Sequence, residues 1–471
     1  MRRVTELVCA VAMLCAGLHL AGCGGASGGA YQPPPAATSA ALPVNYAVIS
    51  MDNGTSGFEP HIFKDGVATL LKDINPGAGS SDASGFTEFN GRLYFSAYDT
   101  THGFEPWVSD GTAAGTFLLK DIKPGVGSSG PSGFTVFNGK LYFSANDGTN
   151  GRELWVTDGS AAGTTLVKDI WPGASGSALA YISVFNGKLY FSANDGTNGN
   201  ELWASDGTAA GTTLLKDINP GAGDSFPSTF TPFNGKLYFV ADDGTHGWEL
   251  WVTDGSAAGT ALVKDINTGA GHSFPRELTV FNGKLYFSAS DDGTNGNELW
   301  VSDGTAAGTT LLKDINPGAT GSYPSYLTVF NNKLYFQADD GTHSWELWAS
   351  DGSAAGTTLV QDIEPGTGTS YPADLTVFNG KLYFSAYFGD SLWVSDGSAV
   401  GNSVVKVFSP DFVNGKKFRD AFVSGTLGVM LFSADYSASH KNTLWTSDGT
   451  SAGTKILNGF TLGHGVDPLV P

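Results

Sequence analysis

The sequence predicts an all-β protein, a single β-propeller of nine four-stranded antiparallel blades, with eight blades as the alternative. Three observations predict it. A unit of about 48 residues recurs along the chain, marked by Trp107, Trp155, Trp203, Trp251, Trp300, Trp348, Trp393 and Trp445. Each unit holds four short runs of aromatic and β-branched residues, separated by Asn-Gly, Asp-Gly and Pro-Gly turns. The runs are apolar on both faces, so each sheet must be covered by a neighbour on either side. Repeated four-stranded sheets of this length fit propeller blades; solenoid coils are shorter and pair with the next coil instead of through tight hairpins.

The elements follow in order along the chain. Met1-Arg2-Arg3 leads into an apolar run from Leu7 to Leu20, too short to span a bilayer comfortably. A basic start, a short apolar run and small residues describe an export signal. Leu20-Ala21-Gly22-Cys23 closes it and resembles the lipobox of bacterial lipoproteins. That resemblance implies a signal peptide over 1–22, removal before Cys23, and a lipid on the Cys23 thiol that ties the chain to a membrane. The three cysteines are Cys9, Cys15 and Cys23, so the expected mature chain keeps one thiol, used by the anchor, and Cys-based metal sites and nucleophiles drop out. Residues 24–43 are mostly Gly, Ala, Ser and Pro without charge, which reads as a tether from 23 to 43 in front of a body over 44–471. Gly24 after the anchor, by the same family resemblance, is compatible with the outer membrane or cell surface.

Within the body, residues 137–170 and 185–218 differ at five positions of 34. In the copy that starts at Phe134, FTVF is followed by Asn138-Gly139, a strong hairpin signal. KLYFSA ends at Asn146-Asp147-Gly148, ELWVT at Asp158-Gly159, and TTLVKDI at Pro172-Gly173. Leu141, Phe143 and Ala145 fall on one face and Tyr142 on the other. The first copy begins at Val44 with a second strand and carries Phe63 at the Trp place. It lacks a first strand, and residues 463–471 are expected to supply one, leaving no free sheet edge at the seam.

Glu153-Leu154-Trp155 with Asp158-Gly159-Ser160 and Gly163-Thr164, and Glu201-Leu202-Trp203 with Asp206-Gly207-Thr208, recur around Trp251, Trp300 and Trp348. This string is similar to the bacterial ELWxxDGT repeat family of exported and surface proteins. The resemblance covers nearly all of 44–471. It implies a propeller and an exported location, and it implies no particular activity. Asp390-Ser391-Leu392-Trp393 departs from the pattern by lacking the Glu, and Pro106 stands in place of Leu. The Ser109-Asp110-Gly111-Thr112 turn also resembles the Asp-box hairpin of sialidase-type propellers, where the Asp shapes the turn.

With Lys+Arg 25 against Asp+Glu 45 the net charge is -20, which opposes nucleic-acid binding and charge-driven attachment to anionic lipid. Asp147, Asp195 and Asp243 with Glu153, Glu201 and Glu249 have the chemistry of acid/base pairs or of calcium ligands. Their recurrence in identical context favours turn-making, since Asp before Gly accepts backbone N–H bonds. No cofactor is expected, and calcium remains a secondary alternative because the loops lack the order of known calcium loops. No Gly-x-Ser-x-Gly elbow precedes a helical pattern, and no His-Glu-x-x-His occurs.

The copies differ most in the second-to-third turns and in the connections between units, which a propeller places at one end. The candidate binding residues there are His246, Trp248, Phe274, Arg276, Tyr323, His343, Trp345 and Tyr371. Variable loops on a rigid scaffold are where binding usually lies, and aromatics beside polar groups suit glycans or proteins. The same rings would also serve to pack over blade seams. The expected function is a monomeric, non-catalytic binding, adhesion or scaffold module. The alternative is an exported carbohydrate-active lyase or hydrolase at the propeller face. It needs acids, His or Arg on the inner strands, and FTVFNG carries almost none.

Overall fold

The structure, a computed structural model, describes Leu42 and residues 46–387, 390–408, 419–424, 428–434 and 443–462. The expected export signal over 1–22, Cys23 and the segment 463–471, expected to supply the missing first strand, lie outside the described residues. Among the described residues every helix or strand element is a strand. They form seven four-stranded antiparallel sheets and one sheet of seven strands.

The third unit shows why each sheet forms. Its strands are Ser132–Phe137, Lys140–Asn146, Arg152–Thr157 and Thr165–Lys168, each hydrogen-bonded to the next. Asn138 (φ 48°) and Gly139 (φ 69°) both lie in the left-handed region, as a two-residue hairpin turn requires. The second strand is central, and Leu141, Phe143 and Ala145 are fully buried. On its other face Tyr142 joins Phe137, Leu154 and Val156 in a core completed by Leu189, Phe191, Ala193 and Trp203 of the next unit. Units five and six, six and seven, and seven and eight share equivalent cores. Burying both faces is what the two-sided apolar pattern demands.

In the seven-stranded sheet Ala47–Asp52, Phe58–Lys64 and Val67–Leu70 continue the sheet of the last unit, Arg419–Ser424, Val429–Ala434, Thr443–Ser447 and Lys455–Leu462. The strand Lys455–Leu462 pairs through Ile456 with Trp445, and its far end pairs Thr461 with Asp52 and Leu462 with Met51. Leu431 and Leu444 of the last unit share a core with Ala47, Ile49, Met51 and Phe63 of the first.

The first unit corrects one sequence assignment. Ile49 faces His61 as Phe143 faces Trp155, so His61 and not Phe63 holds the Trp place. Positions two apart on a strand share a face, so the apolar pattern alone could not separate them. His61 is buried, its Nδ1 lies 2.8 Å from the Glu59 carbonyl oxygen, and its ring meets Phe460 edge-on. Burial lowers its pKa, so this imidazole is neutral at pH 7.

Candidate functional site

The two ends of the units differ in chemistry. At one end lie the Asn-Gly hairpins and the Asp-Gly-Ser/Thr turns, nearly the same in every copy. In the third unit Asp158 Oδ1 accepts from Ser160 N (2.9 Å) and Ser160 Oγ (2.7 Å), and Ser160 Oγ accepts from Gly163 N (3.0 Å). A Cβ on Gly163 would sit 2.1 Å from Asp158 Oδ1, so glycine is required for this close approach. Lys168 of the same unit reaches the next, donating to the Thr212 carbonyl at 2.7 Å with its Nζ 5.8 Å from the Trp203 ring centre. These aspartates therefore build turns and seams.

The other end carries the second-to-third turns and the connections between units. In the third unit Asp147 Oδ1 accepts from Thr149 N and Asn150 N, and its Oδ2 accepts from Asn150 Nδ2 at 2.8 Å. In units five and seven a histidine replaces that Asn. His246 Nδ1 lies 2.7 Å from Asp243 Oδ2, and His343 Nδ1 lies 2.8 Å from Asp340 Oδ2. Both candidate histidines thus close their own turns. Hydrogen bonding to these carboxylates raises both imidazoles above their ordinary value.

Each connection up to unit eight is fastened to a buried glutamate of the preceding third strand, and unit eight has Ser391 in that place. Glu249, 0% exposed, accepts from Ile266 N (3.1 Å), Asn267 N (3.2 Å), Ser273 N (3.1 Å) and Ser273 Oγ (2.6 Å). Glu201, Glu298 and Glu346 stand in the same way toward Ser225, Ser322 and Ser370. Burial pushes the Glu201, Glu249 and Glu298 carboxyls up to about 7, although their hydrogen-bond donors pull the other way. The repeated Glu of the sequence motif is therefore a clamp on the connection. A glutamate 17 to 24 residues before its partners gives no local sequence signal of that role.

The clamp presents the aromatic residues. The residue after each clamped serine is Phe226, Phe274, Tyr323 or Tyr371, at φ 43°, 46°, 48° and 44°. A bulky residue is strained there. Phe226 stacks on Trp248, with centroids 6.1 Å apart and planes 13° apart. Trp345 lies between Tyr323 at 6.2 Å and Tyr371 at 6.0 Å, stacked on the latter at 17°. Phe274 packs on His272, and the Arg276 guanidinium carbon lies 6.0 Å from its ring centre.

The candidates thus form two groups, one on units five and six and one on units seven and eight. Asn297 holds the place of Trp248 and Trp345 in unit six, and no ring contact joins the groups among the described residues. The rings pack over seams and remain partly open as well: Phe226, Phe274 and Tyr323 are 44%, 41% and 51% exposed.

One set of positions escaped the sequence reading. Seven inner strands bulge two residues before the Thr or Ser of their FTVF-like run, at Gly85, Gly133, Tyr181, Thr229, Glu277, Tyr326 and Asp374, all at positive φ. Two glycines suit that geometry. Five larger residues occupy it with strain. Burial raises the pKa of the Tyr326 phenol, and the charges of Asp374 and Glu277 add to it, so each carboxylate lies within electrostatic reach of Tyr326.

Comparison with known proteins returns no matching family model and no matching curated protein. Among solved structures, a computationally designed protein aligns with a TM-score of 0.43 and 16% identity, covering 75% of this chain and 93% of that one. A prolyl endopeptidase aligns at 0.42 and 12% identity, covering 72% of this chain and 50% of its own. A puromycin hydrolase aligns at 0.39 and 13% identity, covering 75% of this chain and 58% of its own.

Proposed function

We propose that this chain is a non-catalytic binding module, exported and lipid-anchored through Cys23, that offers aromatic rows to a glycan or a protein surface. The observation that carries the reading is the Tyr323–Trp345–Tyr371 row, three rings brought together from two connections and one strand end. Strained residues are kept where they serve a function, and Tyr323 and Tyr371 are both held at positive φ. The first described strand begins at Ala47, at the end of the units that carries the Asn-Gly turns.

The supporting framework is a ring of nine blades. Pairing of Leu462 with Met51 and the shared core of Leu431 and Ala47 favour closure between last and first units. Successive inner strands, from Ser84–Phe89 to Arg419–Ser424, touch one another, as they would around an axis.

The test is a glycan and surface-protein array probed with the full chain in detergent, alongside Trp248→Ala and Trp345→Ala. Ligands lost in one or both variants support the reading. Binding retained in both moves the site off this face. A second reading, an exported carbohydrate-active enzyme, is favoured by Glu277 and Asp374 on inner strands, both within electrostatic reach of Tyr326. Glycan turnover abolished by Glu277→Gln would establish it in place of the first.

A further inference from the structure

We propose that the aromatic face is gated by protons: the clamp glutamates Glu201, Glu249 and Glu346 each share a hydrogen bond with a serine that has a second acceptor, and gaining a proton there releases the strained aromatic residue beside it. This rests on the binding reading above and adds a regulation to the same site.

The geometry is clearest at Glu249. Ser273 Oγ lies 2.6 Å from Glu249 Oε2 and 3.2 Å from the Trp248 carbonyl oxygen. One hydroxyl proton serves one acceptor at a time. With the carboxylate charged, Ser273 donates to Glu249. With the carboxyl neutral, its own O–H donates to Ser273 Oγ, and Ser273 turns its proton to the Trp248 carbonyl. The added proton comes from solvent, and no bond other than O–H forms or breaks.

That carbonyl is already full. It accepts from Ser273 N and from Phe274 N, both at 3.1 Å. A carbonyl has two lone pairs, so a third donor displaces one of the first two. The Phe274 N–H bond is one of those two ties at the residue that stands at φ 46°. Losing it lets the ring relax away from the face.

The arrangement recurs. Ser225 Oγ is 2.7 Å from Glu201 Oε2 and 3.1 Å from the Asn200 carbonyl, which also takes Phe226 N. Ser370 Oγ is 2.6 Å from Glu346 Oε2 and 3.4 Å from the Trp345 carbonyl, which also takes Tyr371 N.

Other ionisable groups face these clamps. Glu249 and Asp265 both act on His246, which Asp243 holds, and His272 Nδ1 accepts from Trp248 N. Glu346 and Asp362 act on His343, held by Asp340, and Glu364 and Glu346 act on Tyr387. Glu201 feels Asp217, and Asp224 accepts from Asn200 N. The experiment must therefore separate the glutamate from the histidine of the neighbouring turn.

The full chain is labelled with fluorotryptophan and titrated from pH 5 to 9 by fluorine NMR without ligand. Trp248 and Trp345 are assigned by Trp248→Phe and Trp345→Phe. The expected result is a Trp248 shift with a midpoint near 7, the value to which burial pushes Glu201 and Glu249. Phe226 stacks on the Trp248 ring and Phe274 N shares its carbonyl, so Glu201→Gln with Glu249→Gln, and Ser225→Ala with Ser273→Ala, should each abolish the Trp248 shift and leave that of Trp345. His246→Asn should leave both. A flat titration, a Trp248 shift that survives Ser225→Ala with Ser273→Ala, or one lost in His246→Asn overturns the gate. Array binding at pH 5 and pH 8 is read separately. Titrating resonances with no bound ligand at either pH sink the binding reading and leave the gate standing.

Discussion

Replacing Glu153 with Leu tests the clamp where no aromatic row depends on it. The carboxylate is fully buried and accepts from Ile170 N at 3.0 Å, Ser177 N at 2.8 Å and, at a longer 3.3 Å, Trp171 N. Leucine fills a similar volume and accepts nothing. Two well-placed N–H groups left without partners cost about 2 kcal/mol each, so about 4 kcal/mol in all. Against this stands the charge. Burial pushes the Glu153 carboxyl up to about 7, so the folded protein holds a proton there that the unfolded chain releases above about 4.5. The native chain therefore loses stability as pH rises from 5 toward 7, by about 3 kcal/mol at about 1.4 kcal/mol for each pH step. The variant has no such group. The difference between them should be about 4 kcal/mol at pH 5 and about 1 kcal/mol at pH 8. Native-state hydrogen exchange reads it. At pH 5 the Ile170 and Ser177 amides should exchange roughly a thousandfold faster in the variant, and at pH 8 less than tenfold faster. Rates that differ by less than tenfold at pH 5, or by the same factor at both, would refute the reasoning.

Other outcomes follow from the same contacts. Folded-state pKa values are raised at Glu105, Glu153, Glu201, Glu249 and Glu298, and at His246 and His343, while Asp158 and Asp206 are lowered. The raised groups lose stability as pH climbs, and the lowered ones lose it as pH falls below the carboxylate range, so Tm should peak near pH 5. A peak at pH 8, read by calorimetry, would contradict this. Gly211→Ala places a Cβ 2.0 Å from Asp206 Oδ1 and should open that hairpin, seen as faster exchange at Thr208 and Gly211 with distant units unchanged. Lys168→Met removes the 2.7 Å bond to the Thr212 carbonyl and should lower stability by about 1 kcal/mol in urea unfolding; no change would make this strut incidental. Ending the chain at Thr454 removes the strand that pairs with Met51 and Asp52, and should lower Tm by several degrees if the ring closes there.

The repeat was legible because its signals are local. Asn138-Gly139, Asp158-Gly159 and the alternation through Leu141, Phe143 and Ala145 each act within a few residues, and each appears in the structure as a turn or a buried strand face. The candidate aromatics were legible as variation among copies. Their grouping was not. Trp345 meets Tyr323 and Tyr371 because two connections converge on one strand end, and Asn297 interrupts the row between units. The strained inner-strand column was missed because a bulge shifts register, and the sequence pattern assumes none.

By itself the sequence determined the strands, their turns and the need for cover on both faces, since these depend on neighbours a few positions apart. Only the tertiary structure decided what the buried glutamates do and that His61 fills the Trp place. Those outcomes depend on groups far apart in the chain. A carboxylate surrounded by backbone N–H groups and one excluded from them look the same in sequence, and only packing sets which proton each one keeps.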